Sequence, residues 1–80
     1  MWLLTFVSCS LPVDPRPSCA RYVACVEARD ARDGSTTDVD RFAPDGACWG
    51  GEAGADLCDR ACTAGLAWLA DREPDLGCAP

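Results

Sequence analysis

Histidine and lysine are both missing from this 80-residue chain. Without an imidazole, a serine or cysteine nucleophile lacks its usual base, and zinc loses its common nitrogen ligand. Without lysine, all seven cations are arginines, outnumbered by thirteen carboxylates for a net charge of −6. No basic stripe forms, which argues against nucleic acid as a partner and against attraction to an anionic lipid surface. No apolar run approaches the ~20 residues a membrane-spanning helix needs. There is no Cys-x-x-Cys, the spacing of a dithiol redox centre. Asp30, Asp33, Asp38, Asp40 and Asp45 read as solvated acids, and their spacing is not that of a calcium loop. No cofactor and no metal are expected, and the chain reads as a non-enzymatic protein.

Cysteine is what the chain has in excess: seven. Cys19, Cys25, Cys48, Cys58, Cys62 and Cys78 are even in number and spread through the body of the sequence, while Cys9 stands apart after an apolar start. Only Cys58-x₃-Cys62 has zinc-like spacing, so the six read as three disulfides. A domain of this size buries only about 60% of its unfolded surface, and covalent bridges supply what its core lacks. Such cysteine density implies an oxidising compartment, periplasmic or extracellular.

Two helices are expected. Pro17 and Ser18 mark a start, with Ser18 as N-cap, and CARYVACVEARDAR continues without glycine or proline until Asp33-Gly34-Ser35. The second runs from about Ala55 to Asp71, with Cys58, Ala61, Cys62, Gly65 and Leu69 as its apolar stripe. Leu57 and Trp68 flank one side and Leu66 the other, and Pro74 stops it. Between them, Thr36 or Thr37 is expected to cap a short turn through Asp40 and Phe42. Ala43-Pro44-Asp45-Gly46 is a turn in which glycine provides a positive φ. Cys48-Trp49 then pins the loop.

The fold class expected is a small, mainly α, disulfide-stapled antiparallel helical hairpin with a pinned loop. Cys58 and Cys62 lie about 40° apart around the helix and ~6 Å along it, whereas Cys19 and Cys25 are roughly 120° and 9 Å apart. An antiparallel arrangement favours Cys25–Cys58 and Cys19–Cys62, leaving Cys48–Cys78, one of fifteen connectivities. Gly65, in the middle of the stripe, either lets the partner backbone approach or is a tolerated helix glycine. Trp49, Trp68, Tyr22 and Phe42 either cover the disulfides or, at Trp49 and Trp68, form an exposed binding surface for a protein partner.

The segments preceding the helices divide into an apolar signal-peptide-like stretch over 1–8, a proline-rich tether over 9–17, and the disulfide-rich helical domain over 18–80. Phe6-Val7-Ser8-Cys9 resembles the lipobox of bacterial lipoproteins, which implies lipidation of Cys9 and a membrane contact through that anchor. Phe6 stands where that family usually has leucine, and no arginine or lysine precedes the apolar run; a start further upstream would account for both. With Ser10 after the cysteine, the resemblance implies sorting to the outer membrane. An ordinary cleaved signal, giving a periplasmic or secreted effector or inhibitor, and a retained segment with a buried Cys9 are the other readings. From Cys19 onward, Cys-x₂-Tyr-x₂-Cys, Phe-x-Pro-Asp-Gly-x-Cys-Trp, Cys-x₃-Cys and a final Cys resemble short cysteine-rich bacterial lipoproteins of unknown activity. That resemblance implies a scaffold rather than a chemistry.

Overall fold

Proline at the first helical position has a preset φ and lacks only an N–H that the helix would leave unpaired. Pro17 accordingly opens α1, Pro17–Asp33, in the computed structural model, which describes residues 11–78. Arg16 is the N-cap residue, in extended conformation and with no side-chain cap. Ser18, expected in that role, lies inside the first turn and donates its hydroxyl to Asp59 of the second helix. Gly34 ends α1 in the left-handed region at φ 72°, and Ser35 N–H reaches back 3.0 Å to the Asp30 carbonyl. This is a Schellman closure, which uses glycine because a side chain is strained there.

α2 spans Glu52–Arg72, beginning three residues before its expected start, and Pro74 follows its end. Three short 3-10 turns, Asp40–Phe42, Ala47–Trp49 and Pro74–Leu76, complete the regular structure, and no strand occurs among the described residues. Val39, not a threonine, caps the first of these turns; Asp38 instead accepts the Asp40 N–H at 3.0 Å. Thr37 serves the exit of α1, donating its amide (2.8 Å) and hydroxyl (3.0 Å) to the Asp30 carboxylate.

The two helices run parallel, not antiparallel. Ser18 meets Asp59 at a sequence separation of 41, Cys19 meets Cys62 at 43, and Arg32 meets Asp75 at 43. A near-constant separation along both helices requires a common direction, since in an antiparallel pair the separation shrinks towards the loop. Residues 34–51 therefore return the roughly 25 Å length of α1 before α2 can begin. Val39, Phe42 and Trp49 pack along that return path.

Polarity of packing decides the disulfides. Cys19–Cys62 joins the helices as expected, with Cα atoms 5.0 Å apart. The other two expected pairs are replaced by Cys25–Cys78 and Cys48–Cys58, each with Cα atoms 5.9 Å apart. In the parallel register Cys58 lies beside the N-terminal end of the pair, where the returning loop delivers Cys48. Cys25 lies further towards the other end, where the tail after α2 delivers Cys78.

The buried face of α2 consists of Ala55, Cys62, Leu66 and Leu69. It is rotated about 50° from the expected cysteine stripe. Leu66 moves to the centre, while Ala61, Leu57 and Trp68 turn to solvent. Two clusters form the core. One contains Cys19, Cys48, Trp49, Ala55 and Cys62; the other contains Cys25, Val26, Leu66, Leu69 and Cys78. Tyr22 packs against both. Its ring meets Phe42 edge-on at 5.5 Å and occupies the space over Gly65, where an added Cβ would lie 2.5 Å from a ring carbon. Gly65 thus makes room for an aromatic ring rather than for a closer disulfide.

Candidate functional site

All six cysteines from Cys19 to Cys78 are paired, so none is available as a thiolate nucleophile or ligand. Cys9 lies outside the described residues. Among the described residues, no group of three or more acidic, cysteine or histidine side chains converges to hold a metal ion, and no helix is long and apolar enough to cross a membrane. The features that remain to interpret are surfaces and clefts.

Trp49 does not belong to a surface. It is 3% exposed, and its indole N–H donates to the Ala43 carbonyl at 2.9 Å. A buried indole needs such a partner, and the carbonyls of the Phe42–Ala43 segment provide it. Gly46 makes the loop geometry possible by close approach. A Cβ there would fall 2.5 Å from the Asp40 carbonyl and still nearer that of Arg41. Its φ of −79° is ordinary, so crowding selects this glycine and not the positive φ expected from the sequence. Val13 extends the same anchor: its N–H donates to the Trp49 carbonyl at 3.0 Å, and its side chain packs against the first cluster. Among the described residues, contacts with the domain thus begin at Val13, inside the proline-rich stretch 9–17.

Trp68 is the aromatic that faces outward, 50% exposed, with the Arg72 guanidinium 5.2 Å above its ring. Leu57, 61% exposed, lies on the same face of α2. Eleven residues of helix return the chain to within about 20° of the same direction. Ala61 and Ala64, also exposed, fall between them, giving the apolar strip Leu57, Ala61, Ala64, Trp68. The strip lies nearly opposite the face that α2 packs on α1. Beside Leu57 is a shallow cleft of about 470 Å³ lined by Arg41, Ala47, Cys48, Gly54, Leu57 and Cys58. Leu57 and the alanines were not recognised from sequence as a surface. The eleven-residue spacing of Leu57 and Trp68 was the available signal, obscured by assigning both to the margin of the core.

Charge is organised at the two ends of the helix pair. At the N-terminal end Arg16 binds Glu52 (2.9 Å), Asp56 (2.8 Å) and Asp59 (3.5 Å). The hydrogen bond to Asp56 is the main cause that holds the Arg16 guanidinium above its ordinary value. At the C-terminal end Arg32 contacts Asp33 (2.8 Å), Glu73 and Asp75 (2.6 Å), and Arg29 approaches Glu73 at 3.8 Å. The hydrogen bonds that Arg32 donates to Asp33 first, then to Glu73 and Asp75, raise its guanidinium further; reciprocally, Arg32 depresses Asp33. Desolvation opposes ionisation of Asp30, but the hydrogen bonds from Ser35 and Thr37 outweigh it and hold that carboxyl low. With parallel helices the positive dipole ends lie together at one end of the pair and the negative ends at the other. Glu52 in the first turn of α2 opposes the positive end, and Arg32 and Arg72 in the last turns of α1 and α2 oppose the negative end.

No family model matches the chain, and searches of curated proteins and of solved structures return no match.

Proposed function

We propose that this chain is a small acidic lipoprotein of the bacterial cell envelope, tethered through lipid on Cys9 and acting by binding or as a structural element rather than by catalysis. The observation that supports this most is the division of its cysteines. Six close three bridges within the helical domain, which suits an oxidising compartment, and the seventh sits in Phe6-Val7-Ser8-Cys9 after an apolar run. Outer-membrane sorting follows from Ser10 under the same reading. The functional surface is the outer face of α2 around Trp68 and Leu57, which the domain leaves uncovered.

Metabolic labelling with palmitate, together with the intact mass of envelope-purified protein before and after thiol alkylation, tests this reading. The expected result is a lipid adduct that disappears in Cys9→Ser and no alkylation without reduction. A mature mass beginning after Ser8 with no lipid would replace the tether with a released protein.

A further inference from the structure

We infer that the outer face of α2 binds a second copy of this chain, in an antiparallel two-fold pair that seats Trp68 of each copy in the cleft beside Leu57 of the other. Leu57, Ala61, Ala64 and Trp68 follow the four-three-four spacing of a helix–helix seam. Their sizes are also symmetric: large, small, small, large, arranged about the midpoint between Cys62 and Thr63. A two-fold axis through that midpoint places Leu57 against the partner's Trp68 and Ala61 against the partner's Ala64. Isologous interfaces demand such self-complementarity. The two central alanines let the backbones approach, so both indoles reach the opposing surface.

The cleft supplies what a protruding indole needs. It opens beside Leu57, its walls are Ala47, Gly54 and the Cys48–Cys58 bridge, and Arg41 at its rim offers a cation to the ring. Arg72 already covers one face of Trp68, leaving the remainder of the ring for the partner.

Charge complementarity fixes the register. Arg60 and Asp71 are both exposed, form no ion pair with any described residue, and lie on the same flank of the strip, about 60° and 40° from Leu57. Two-fold pairing of antiparallel helices brings like flanks together. Helical side chains lean towards their own N-terminus. Arg60 and the partner's Asp71 therefore lean towards each other, and the contact occurs twice. Asp56, the other acid on that flank, is already engaged by Arg16.

Sedimentation equilibrium of the oxidised full chain in non-ionic detergent, from micromolar to millimolar concentration, tests the pair. A reversible monomer–dimer equilibrium is expected. Trp68→Ala, at an exposed position, should weaken it by about 100-fold, since each substitution counts twice. Arg60→Asp and Asp71→Arg should each weaken it by about 10-fold, and the double variant should recover most of the loss because it restores both pairs. A monomer throughout the range overturns the inference, as does a dimer indifferent to Trp68→Ala or a double charge reversal that remains as weak as the singles. Loss of the Cys9 lipid leaves all of these outcomes readable, so this surface and the anchor fail or stand separately.

Discussion

The two ends of the helix pair achieve the same closure by different means. At the N-terminal end, two of the three disulfides, a buried indole and the incoming segment at Val13 converge on one cluster. At the C-terminal end one disulfide closes over Val26, Leu66 and Leu69, with Val39 and Leu76 at the margin and an arginine bound to three carboxylates outside. The first end is over-determined by covalent and hydrogen bonds; the second depends on one bridge and on aliphatic burial. Local robustness in so small a domain is therefore set by redundancy of linkage more than by core volume.

The sharpest way to break that asymmetry is to remove one bridge at each end. Cys25–Cys78 spans a sequence separation of 53 and Cys48–Cys58 only 10. Chain-entropy reasoning assigns them about 4 and about 3 kcal/mol, respectively. Cys25→Ala with Cys78→Ala should lower the melting temperature more than Cys48→Ala with Cys58→Ala, and should also expose the tail after Glu73 to proteolysis. Equal melting temperatures for the two double variants would remove the asymmetry. Next in size is Leu66→Ala, at a fully buried aliphatic position of the second cluster, expected to cost about 3 kcal/mol by chemical denaturation.

A smaller effect probes the residue common to both clusters. Gly65→Ala gains about 1 kcal/mol of helix propensity but drives a methyl group into the Tyr22 ring. Overpacking costs about 1–3 kcal/mol, so the net change should be a destabilisation of roughly 1 kcal/mol. In a Tyr22→Ala background the same substitution should become stabilising, and a denaturation cycle of the four proteins reads that reversal. Smallest is acid sensitivity. The Asp30 and Asp33 carboxyls are held below their ordinary value of 3.8. The stability they contribute is present above that value and is lost as pH falls through their folded-state values. Both lie at the C-terminal end of α1, so amide exchange near Asp30 to Thr37 should accelerate below about pH 4 before exchange around Trp49 does.

The helices, their proline and glycine boundaries and the Cys19–Cys62 bridge were legible in the sequence, because each rests on local backbone rules or on one face of a helix. Helix direction was not read correctly, and two bridges were misassigned with it. The signal was the length of residues 34–51: antiparallel neighbours normally need only a short connection, whereas a run this long can return along the whole helix. Gly46 and Gly65 were visible as glycines, but the crowding that selects them comes from chain segments whose proximity only the packed structure reveals. The same holds for Leu57 and Trp68, whose exposure depends on a rotation of α2 that Leu66 and Ala55 decide.

The hydrogen bond from Val13 to Trp49 also sets a distance. With an acyl chain on Cys9, only Ser10, Leu11 and Pro12 would separate the bilayer from a fixed point on the domain, a reach of roughly 14 Å at full extension. A protein so closely moored could not sweep the periplasmic space for distant targets. It would work within a molecule's width of the headgroups, and whatever it meets would have to be there too.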